Sequence, residues 1–134
     1  MFQTAFADRT IGSMVKRLAR LPLFGQPGEV WEYGLSVDVL GYLIEKVSGM
    51  KLNDFMRERL FGPLKMNDTC FFLPKDKIPR LSAVWETDWK GDLQKMTPGP
   101  HQAGEFVFCP GDAYETSGSY LSGGAGILST AYDY

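Results

Sequence analysis

Apolar residues recur at helical spacing over two stretches of the first half of the chain. Between positions 11 and 21 an apolar residue recurs every three or four positions, until Pro22, which has no backbone N–H, interrupts the pattern. Between 52 and 60 the same spacing returns with charged residues on the other face, and it stops at Gly62-Pro63. These stretches predict a first and a third helix.

A second helix is predicted from near Ser36 to Gly49, since glycine is a common C-terminal cap. We expect Ser36 and Asp38 to accept hydrogen bonds from first-turn amides, and the Asp38 charge to favour the positive end of the helix dipole. The helix has a wide apolar face of the kind that globular proteins turn toward their core. That face consists of Val37, Val39, Leu40, Gly41, Leu43, Ile44 and Val47.

Proline and glycine interrupt the second half of the chain, so only short elements are predicted there. Strand candidates lie at 70–73, 81–85 and 106–108. Residues 74–104 are predicted to be rich in loops, a candidate lid over a cleft. The chain is therefore expected to be mainly α with a few short strands (α+β), in a single domain over 1–134.

The last residues predict the start of another helix, with Thr130 as its N-cap and 131–134 as its first turn. A single helical turn does not recover its nucleation cost. We therefore expect this chain to be part of a longer protein, or the product of a truncated gene, with its domain incomplete. An incomplete domain would leave apolar faces uncovered, which favours homo-oligomers.

Composition narrows the range of partners. The chain has 134 residues, of which 44% are hydrophobic and 22% charged, as is usual for one globular domain. A formal net charge of -2 gives no basis for a nucleic-acid or membrane-surface partner. No apolar run approaches the roughly 20 residues that span a bilayer, and the first residues do not form a secretory signal. The cytoplasm is therefore the default location.

Metal chemistry and a local Ser-His-Asp triad are disfavoured because His101 is the single histidine. Its Pro/Gly-rich surroundings predict a surface position. The two cysteines, Cys70 and Cys109, have no metal-ligand spacing and leave two interpretations open. Either each is a buried free thiol, which we favour, or the two form a disulfide.

Four stretches in order carry a family resemblance: MVKRLARLPL at 14–23, PLFGQPGEVWEYGLSVDVLGYLIEKVSG at 22–49, FMRERLFGPLKMNDTCF at 55–71 and SGGAGILSTAYDY at 122–134. They resemble segments of the serine beta-lactamase-like hydrolases, which include class C beta-lactamases, penicillin-binding-protein-type peptidases and related esterases. The resemblance implies a partial beta-lactamase/transpeptidase-like fold, namely the helical region that flanks the active-site cleft. It also implies acyl-enzyme chemistry on a small ester or amide substrate, without a metal or organic cofactor.

By this resemblance Tyr33 takes the position of the family's proton-handling tyrosine. Trp31 and Leu35 are candidate residues of the substrate pocket, with Trp31 as a wall of its acyl-binding part. A tyrosine hydroxyl acts as a base only when a nearby cation, such as the family's lysine, stabilises the phenolate. The alternative is that Tyr33 is a packing residue at the helix mouth, with its hydroxyl hydrogen-bonded.

Two positions depart from the family pattern. Leu35 stands where beta-lactamases and peptidases have the Asn of Tyr-x-Asn, and it cannot donate a hydrogen bond to a substrate amide. Leu35 therefore favours the esterase branch. Lys65 stands where the family turn has glycine, and it would be strained if that position needs a positive φ.

Ser13 and Lys16 spell S-x-x-K, the spacing of the family's nucleophile and its lysine. We interpret this pair as a fortuitous match, because Arg17 and Arg20 follow it as on a solvated helix face, and because the family's nucleophile lies far upstream of its tyrosine. The true serine and lysine, and the C-terminal Lys/His-x-Gly motif, are expected outside this chain. A non-catalytic binding or structural module is therefore the alternative function.

Overall fold

The computed structural model describes residues 10–96, 101–103, 106–108 and 120–134, and it is mainly helical with short strands, as predicted. The helices are α1 (Ile11–Leu18), α2 (Ser36–Ser48) and α3 (Leu52–Met56), and α3 continues as a π-helical turn over Arg57–Phe61. A 3₁₀ helix follows at Lys75–Arg80. The strands are β1 (Trp85–Thr87), β2 (Leu93–Lys95), β3 (His101–Ala103) and β4 (Phe106–Phe108).

The described residues divide into two compact units. The first consists of 10–71 with 120–134, and the second of 72–96, 101–103 and 106–108. The first unit holds α1, α2 and α3 and all four stretches that carry the family resemblance, while the 3₁₀ helix belongs to the second unit. The single domain over 1–134 and the lid over 74–104 stay predictions.

Helix α1 begins at an N-cap that its sequence specifies and ends earlier than predicted. The Thr10 side chain accepts a hydrogen bond from the Ser13 amide at 3.1 Å, which satisfies one of the first free N–H groups of the helix. The predicted end at Leu21 is wrong, since α1 ends at Leu18. Amides 20 and 21 instead bond to carbonyls three residues back, which tightens the chain before Pro22.

Helix α2 has the predicted bounds, and Gly49 closes it in a left-handed conformation with φ 71. The prediction for its other end is wrong. The N-cap residue is Leu35, no side chain caps the first turn, and Asp38 is buried instead. Of the predicted apolar face only Gly41 is buried and Ile44 is half-buried, so the predicted inward orientation is wrong for the other members, which are exposed.

The core of the first unit is assembled from segments that are distant in sequence. Its buried apolar side chains are Ile11, Met14, Leu52, Phe61, Phe71 and Leu121. Gly41 of α2 lies at the centre of this packing. A Cβ atom built there would lie 3.0 Å from a Leu52 methyl carbon, 3.2 Å from an Ile11 methyl carbon and 3.3 Å from the Gly123 Cα. Glycine at 41 therefore lets α2 approach its neighbours closely.

The second unit contains two antiparallel hairpins. Strand β1 pairs with β2, with Glu86 opposite Gln94, and β3 pairs with β4, with Gln102 opposite Val107. The predicted strand at 106–108 is confirmed, whereas the one at 81–85 is wrong because pairing begins at Trp85. His101, predicted in a loop, belongs to β3.

The predicted strand at 70–73 is also wrong. Cys70 makes only an isolated antiparallel bridge with Leu128, which lies in the first unit. Cys70 is half-buried, and Cys109 lies outside the described residues, so the choice between two thiols and a disulfide stays open. Among the helices of the described part, none is long and apolar enough to cross a bilayer.

Candidate functional site

The segment that leads into α2 presents aromatic side chains to solvent. Tyr33 is 73% exposed and Trp31 is 87% exposed, while Leu35, the N-cap residue of α2, is half-buried. The Tyr33 hydroxyl makes no hydrogen bond to any residue that the structure describes. Tyr33 therefore does not behave as a packing residue with a satisfied hydroxyl within this part of the chain.

The first turn of α2 contains a buried carboxylate, Asp38, that bonds to the segment around 120–122. Asp38 is only 6% exposed, and its Oδ1 atom accepts a hydrogen bond from the Ser122 hydroxyl at 2.8 Å. The Tyr120 hydroxyl donates to the same atom at 3.4 Å. Through these two hydrogen bonds Asp38 links the segment around 120–122 to the helix that follows Tyr33.

The glycine-rich stretch at 122–126 forms a turn that packs closely on α2. A Cβ atom at Gly123 would clash with the Val37 carbonyl oxygen, so no larger residue fits there without movement. The Ser122 hydroxyl also accepts hydrogen bonds from the amides of Gly124 and Ala125, at 3.3 and 3.1 Å. Ser122 therefore orders the turn and links it to Asp38.

Two of the family-like stretches meet in a second hydrogen-bonded contact, which we name the 68–70/128–133 clasp. The Asp133 carboxylate accepts bonds from the Asp68 amide at 2.7 Å and from the buried Thr69 hydroxyl at 2.8 Å. Since that hydroxyl has one proton, it accepts in turn from Ser129, 2.8 Å away. Both backbone bonds of the Cys70 bridge with Leu128 continue the contact.

The C-terminal turn orients the clasp carboxylate. The Thr130 hydroxyl accepts a hydrogen bond from the Asp133 amide at 3.2 Å, which is the N-cap geometry expected for Thr130. The backbone carbonyl of Thr130 accepts from the amides of Asp133 and Tyr134, each at 3.2 Å. This turn is the local reason that the Asp133 side chain meets Thr69.

The Ser13–Lys16 pair belongs to the capped end of α1. The Ser13 hydroxyl donates to the Thr10 carbonyl at 2.8 Å and accepts from the Thr10 hydroxyl at 3.1 Å. Both Ser13 and Lys16 are exposed. The Ser13 hydroxyl is thus committed to its own helix terminus and not directed at a lysine.

Lys65 adopts a positive φ of 59°, and among the described residues it is the one non-glycine residue that does so. The condition of the sequence prediction, a positive φ, is therefore met, and strain is expected because an L-residue in the left-handed region places its Cβ close to the following carbonyl. The turn is closed by backbone bonds from Lys65 to Gly62 and from Met66 to Phe61.

The structure thus gathers some of the predicted residues and separates others. Trp31, Tyr33 and Leu35 share one exposed segment, while Ser13 and Lys16 lie on α1. The importance of Asp38 was missed, although an acid between Val37 and Val39 in an apolar helix was a signal for it. Within the described ranges, no group of His, Cys, Asp and Glu side chains could hold a metal ion.

The sequence matches the Beta-lactamase family over residues 2–134. This chain belongs to that family. The family resemblance seen in the four stretches, and the fold that it implies, are therefore confirmed.

Two relatives of this chain match most of its length. Protein Rv1367c of Mycobacterium tuberculosis (strain ATCC 25618 / H37Rv) is 32% identical over 117 residues, which is 87% of this chain and 26% of that protein. Esterase EstB of Burkholderia gladioli is 34% identical over 132 residues, 94% of this chain and 33% of EstB. The chain thus spans between about a quarter and a third of the length of these relatives.

A solved structure gives the same result for the fold. EstCE1, described as a hydrolase with promiscuous acyltransferase activity, superposes with a TM-score of 0.78 at 26% identity. The superposition covers 92% of this chain and 33% of EstCE1. The mainly helical fold is therefore one part of a beta-lactamase-type fold.

Proposed function

We propose that this chain forms the central part of a serine ester hydrolase of the beta-lactamase family and supplies Tyr33 as its proton-handling residue. The observation that carries the proposal is the exposed Tyr33 hydroxyl, which has no hydrogen-bond partner in the described part of the chain. Tyr33 lies just before the start of α2, and that start is held by the hydrogen bond of Asp38 and by the close packing of Gly123. A group that must exchange a proton with a substrate has to be accessible and held on a rigid element.

The proposed mechanism is acyl transfer in two steps. The family's serine, expected outside this chain, attacks the ester carbonyl while the Tyr33 phenolate takes its proton. The resulting phenol returns that proton to the departing alkoxide, which leaves an acyl-enzyme, and water then releases the acid. Each proton that leaves the nucleophile thus passes to the leaving group.

An ester is the favoured substrate class. EstB is named an esterase, and EstCE1 is described as a hydrolase. Leu35 in place of asparagine removes a donor that a substrate amide would use, which also favours esters over β-lactams. Trp31, two residues before Tyr33 and exposed, is the proposed wall of the acyl pocket.

A chimera tests this proposal directly, because it restores the parts of the family domain that this chain does not span. The chain replaces its matching segment in EstB, and hydrolysis of p-nitrophenyl butyrate is measured. We expect Tyr33→Phe to lower kcat by about 10²- to 10⁴-fold, the usual contribution of a general acid–base group. Tyr132→Phe is the matched control, since Tyr132 is fully exposed and outside the proposed site.

Two outcomes would contradict the proposal. One is an active chimera whose Tyr33→Phe variant keeps kcat, and the other is a folded chimera with no activity. The isolated chain is treated in parallel with a fluorophosphonate probe, and we expect no labelling. Labelling that disappears in Ser13→Ala would instead identify Ser13 as a nucleophile.

A second candidate function is a non-catalytic module that associates with itself. The observation that favours it is the large number of exposed aliphatic and aromatic side chains, among them Phe24, Trp31 and Val47. Sedimentation of the isolated chain separates the candidates, because a stable homo-oligomer without probe labelling supports the module and a monomer counts against it.

A further inference from the structure

The segment around Tyr33 makes little contact with the rest of the first unit. Trp31 and Tyr33 are both largely exposed. A Cβ atom built at Gly34 would meet no atom of the described chain within 4 Å, its two chain neighbours aside. Helix α2 begins directly after Leu35, which is half-buried. The position of Tyr33 therefore depends on how the start of α2 is held.

The start of α2 lacks the usual local support. The first amides of a helix have no partner within the helix, and an N-cap side chain commonly accepts from one of them. Here the N-cap residue is Leu35, and no side chain caps the first turn. The Val39 amide closes that turn by donating to the Leu35 carbonyl at 3.0 Å. The direction of the first turn must be fixed by contacts from outside the helix.

Asp38 provides such a contact through Ser122. The Asp38 side chain is buried, and its Oδ1 atom accepts from the Ser122 hydroxyl at 2.8 Å. The same hydroxyl accepts from the Ala125 amide at 3.1 Å. A serine hydroxyl has one proton, so the bond to the turn and the bond to Asp38 together fix its orientation. The first turn of α2 is thereby tied to an ordered partner.

We propose that Asp38 is a positioning residue for Tyr33: the hydrogen bond from Ser122 to Asp38 fixes the first turn of α2 and, with it, the place of the Tyr33 hydroxyl. The inference rests on the proton-handling role proposed for Tyr33 and adds a buried residue that acts only through it. A reacting group displaced by about 1 Å can lose about 10²-fold in rate, so the effect of Asp38 is expected in kcat.

A double-mutant cycle in the EstB chimera tests the inference. Asp38→Ala and Tyr33→Phe are made singly and together, and kcat and KM for p-nitrophenyl butyrate are measured on samples shown by circular dichroism to be folded. We expect Asp38→Ala to lower kcat by about ten-fold or more and to change KM by less than about three-fold. In the Tyr33→Phe background the same change should lower kcat by less than about two-fold, because no tyrosine hydroxyl is left to misplace.

Two further variants complete the cycle. Asp38→Asn is the conservative variant, since its amide oxygen can still accept from Ser122, and its kcat should lie within about three-fold of that of the parent chimera. Asp54→Ala is the acidic control, because Asp54 lies at the exposed surface of α3. Its kcat should change by less than about two-fold.

The outcomes separate this inference from the proposal on which it rests. An Asp38→Ala variant that keeps kcat beside an impaired Tyr33→Phe variant overturns the role of Asp38 alone. Equal losses from Asp38→Ala in both backgrounds also overturn it, because a general loss of structure does not depend on the tyrosine hydroxyl. A Tyr33→Phe variant that keeps kcat overturns the role of Tyr33 itself.

A second measurement does not require the chimera to fold. Amide hydrogen exchange in the isolated chain is followed by NMR at Val39, which closes the first turn of α2, and at Leu128, whose amide donates to the Cys70 carbonyl at 2.8 Å. Asp38→Ala should speed exchange at Val39 by about ten-fold more than at Leu128, because local opening affects the first turn whereas global unfolding affects both amides. Equal changes at the two amides would contradict the role of Asp38.

Discussion

Two family-like regions of the first unit differ in how firmly their side chains are held. In the 68–70/128–133 clasp the Asp133 carboxylate is bonded to two partners within 2.8 Å, and one of these, Thr69, is buried. In the segment before α2, Tyr33 is largely exposed and its hydroxyl has no partner in the described residues. Sequence resemblance alone does not distinguish the two regions, whereas hydrogen bonding does: the clasp residues are bonded to each other, and the Tyr33 hydroxyl stays exposed.

The largest effect is expected at the clasp. Asp133→Ala removes two charge-assisted hydrogen bonds and leaves the Thr69 hydroxyl and the Asp68 amide without their acceptor, so the free energy of unfolding should fall by about 3 kcal/mol. Urea denaturation followed by circular dichroism measures it. Glu58→Ala is the acidic control and should cost only about 0.3 kcal/mol, because its pairing with Arg59 is solvent-exposed. An equal loss of stability in the two variants would show that the clasp stabilises the fold no more than an exposed ion pair does.

The second effect concerns the support behind the tyrosine segment. Asp38→Ala deprives the Ser122 hydroxyl of its buried acceptor and should lower the free energy of unfolding by about 2 kcal/mol. Ser122→Ala should cost about 1 kcal/mol, and the double variant less than the sum, because the two residues share one bond. Asp54→Ala, which removes a 3.4 Å pair with Arg57 and a 3.4 Å hydrogen bond from Asn53, is the control. Strict additivity would show that Asp38 does not act through Ser122.

A smaller effect of opposite sign is expected at the turn that precedes the clasp. Lys65→Gly relieves the cost of a positive φ and should raise the free energy of unfolding by about 0.5–1 kcal/mol. Lys51→Gly is the control. Lys51 has φ -66, so glycine relieves no strain there and only raises the conformational entropy of the unfolded chain, and the free energy of unfolding should fall. A loss of stability at both positions would contradict the strain assigned to Lys65.

The smallest effect on stability is expected at the tyrosine. Tyr33→Phe in the isolated chain should change the free energy of unfolding by less than about 0.5 kcal/mol, since an exposed hydroxyl without a protein partner contributes little. The same denaturation experiment measures it. A loss of 1 kcal/mol or more would give Tyr33 a structural role and weaken the contrast with Asp133.

Local features were predictable from the sequence. The bounds of α2 followed from its periodicity and Gly49, and the strain at Lys65 from a residue type at odds with its turn. The clasp was not predictable, because Thr69 and Asp133 are 64 positions apart and the sequence around neither residue indicates a contact with the other. The orientation of α2 was predicted wrongly for a related reason: an apolar face marks what a helix can bury, and not which neighbour is present to bury it.

The close packing around Gly41 also bears on how this sequence can change over generations. A single added methyl group there would press at once on Ile11, Leu52 and Gly123, which belong to three separate segments. An alanine at this position becomes acceptable only if residues in those segments change with it, and each of those changes alone would open a void or a clash. Glycine at position 41 is therefore expected to be replaced rarely among descendants of this gene. Its three neighbours are expected to be substituted together when they are substituted at all.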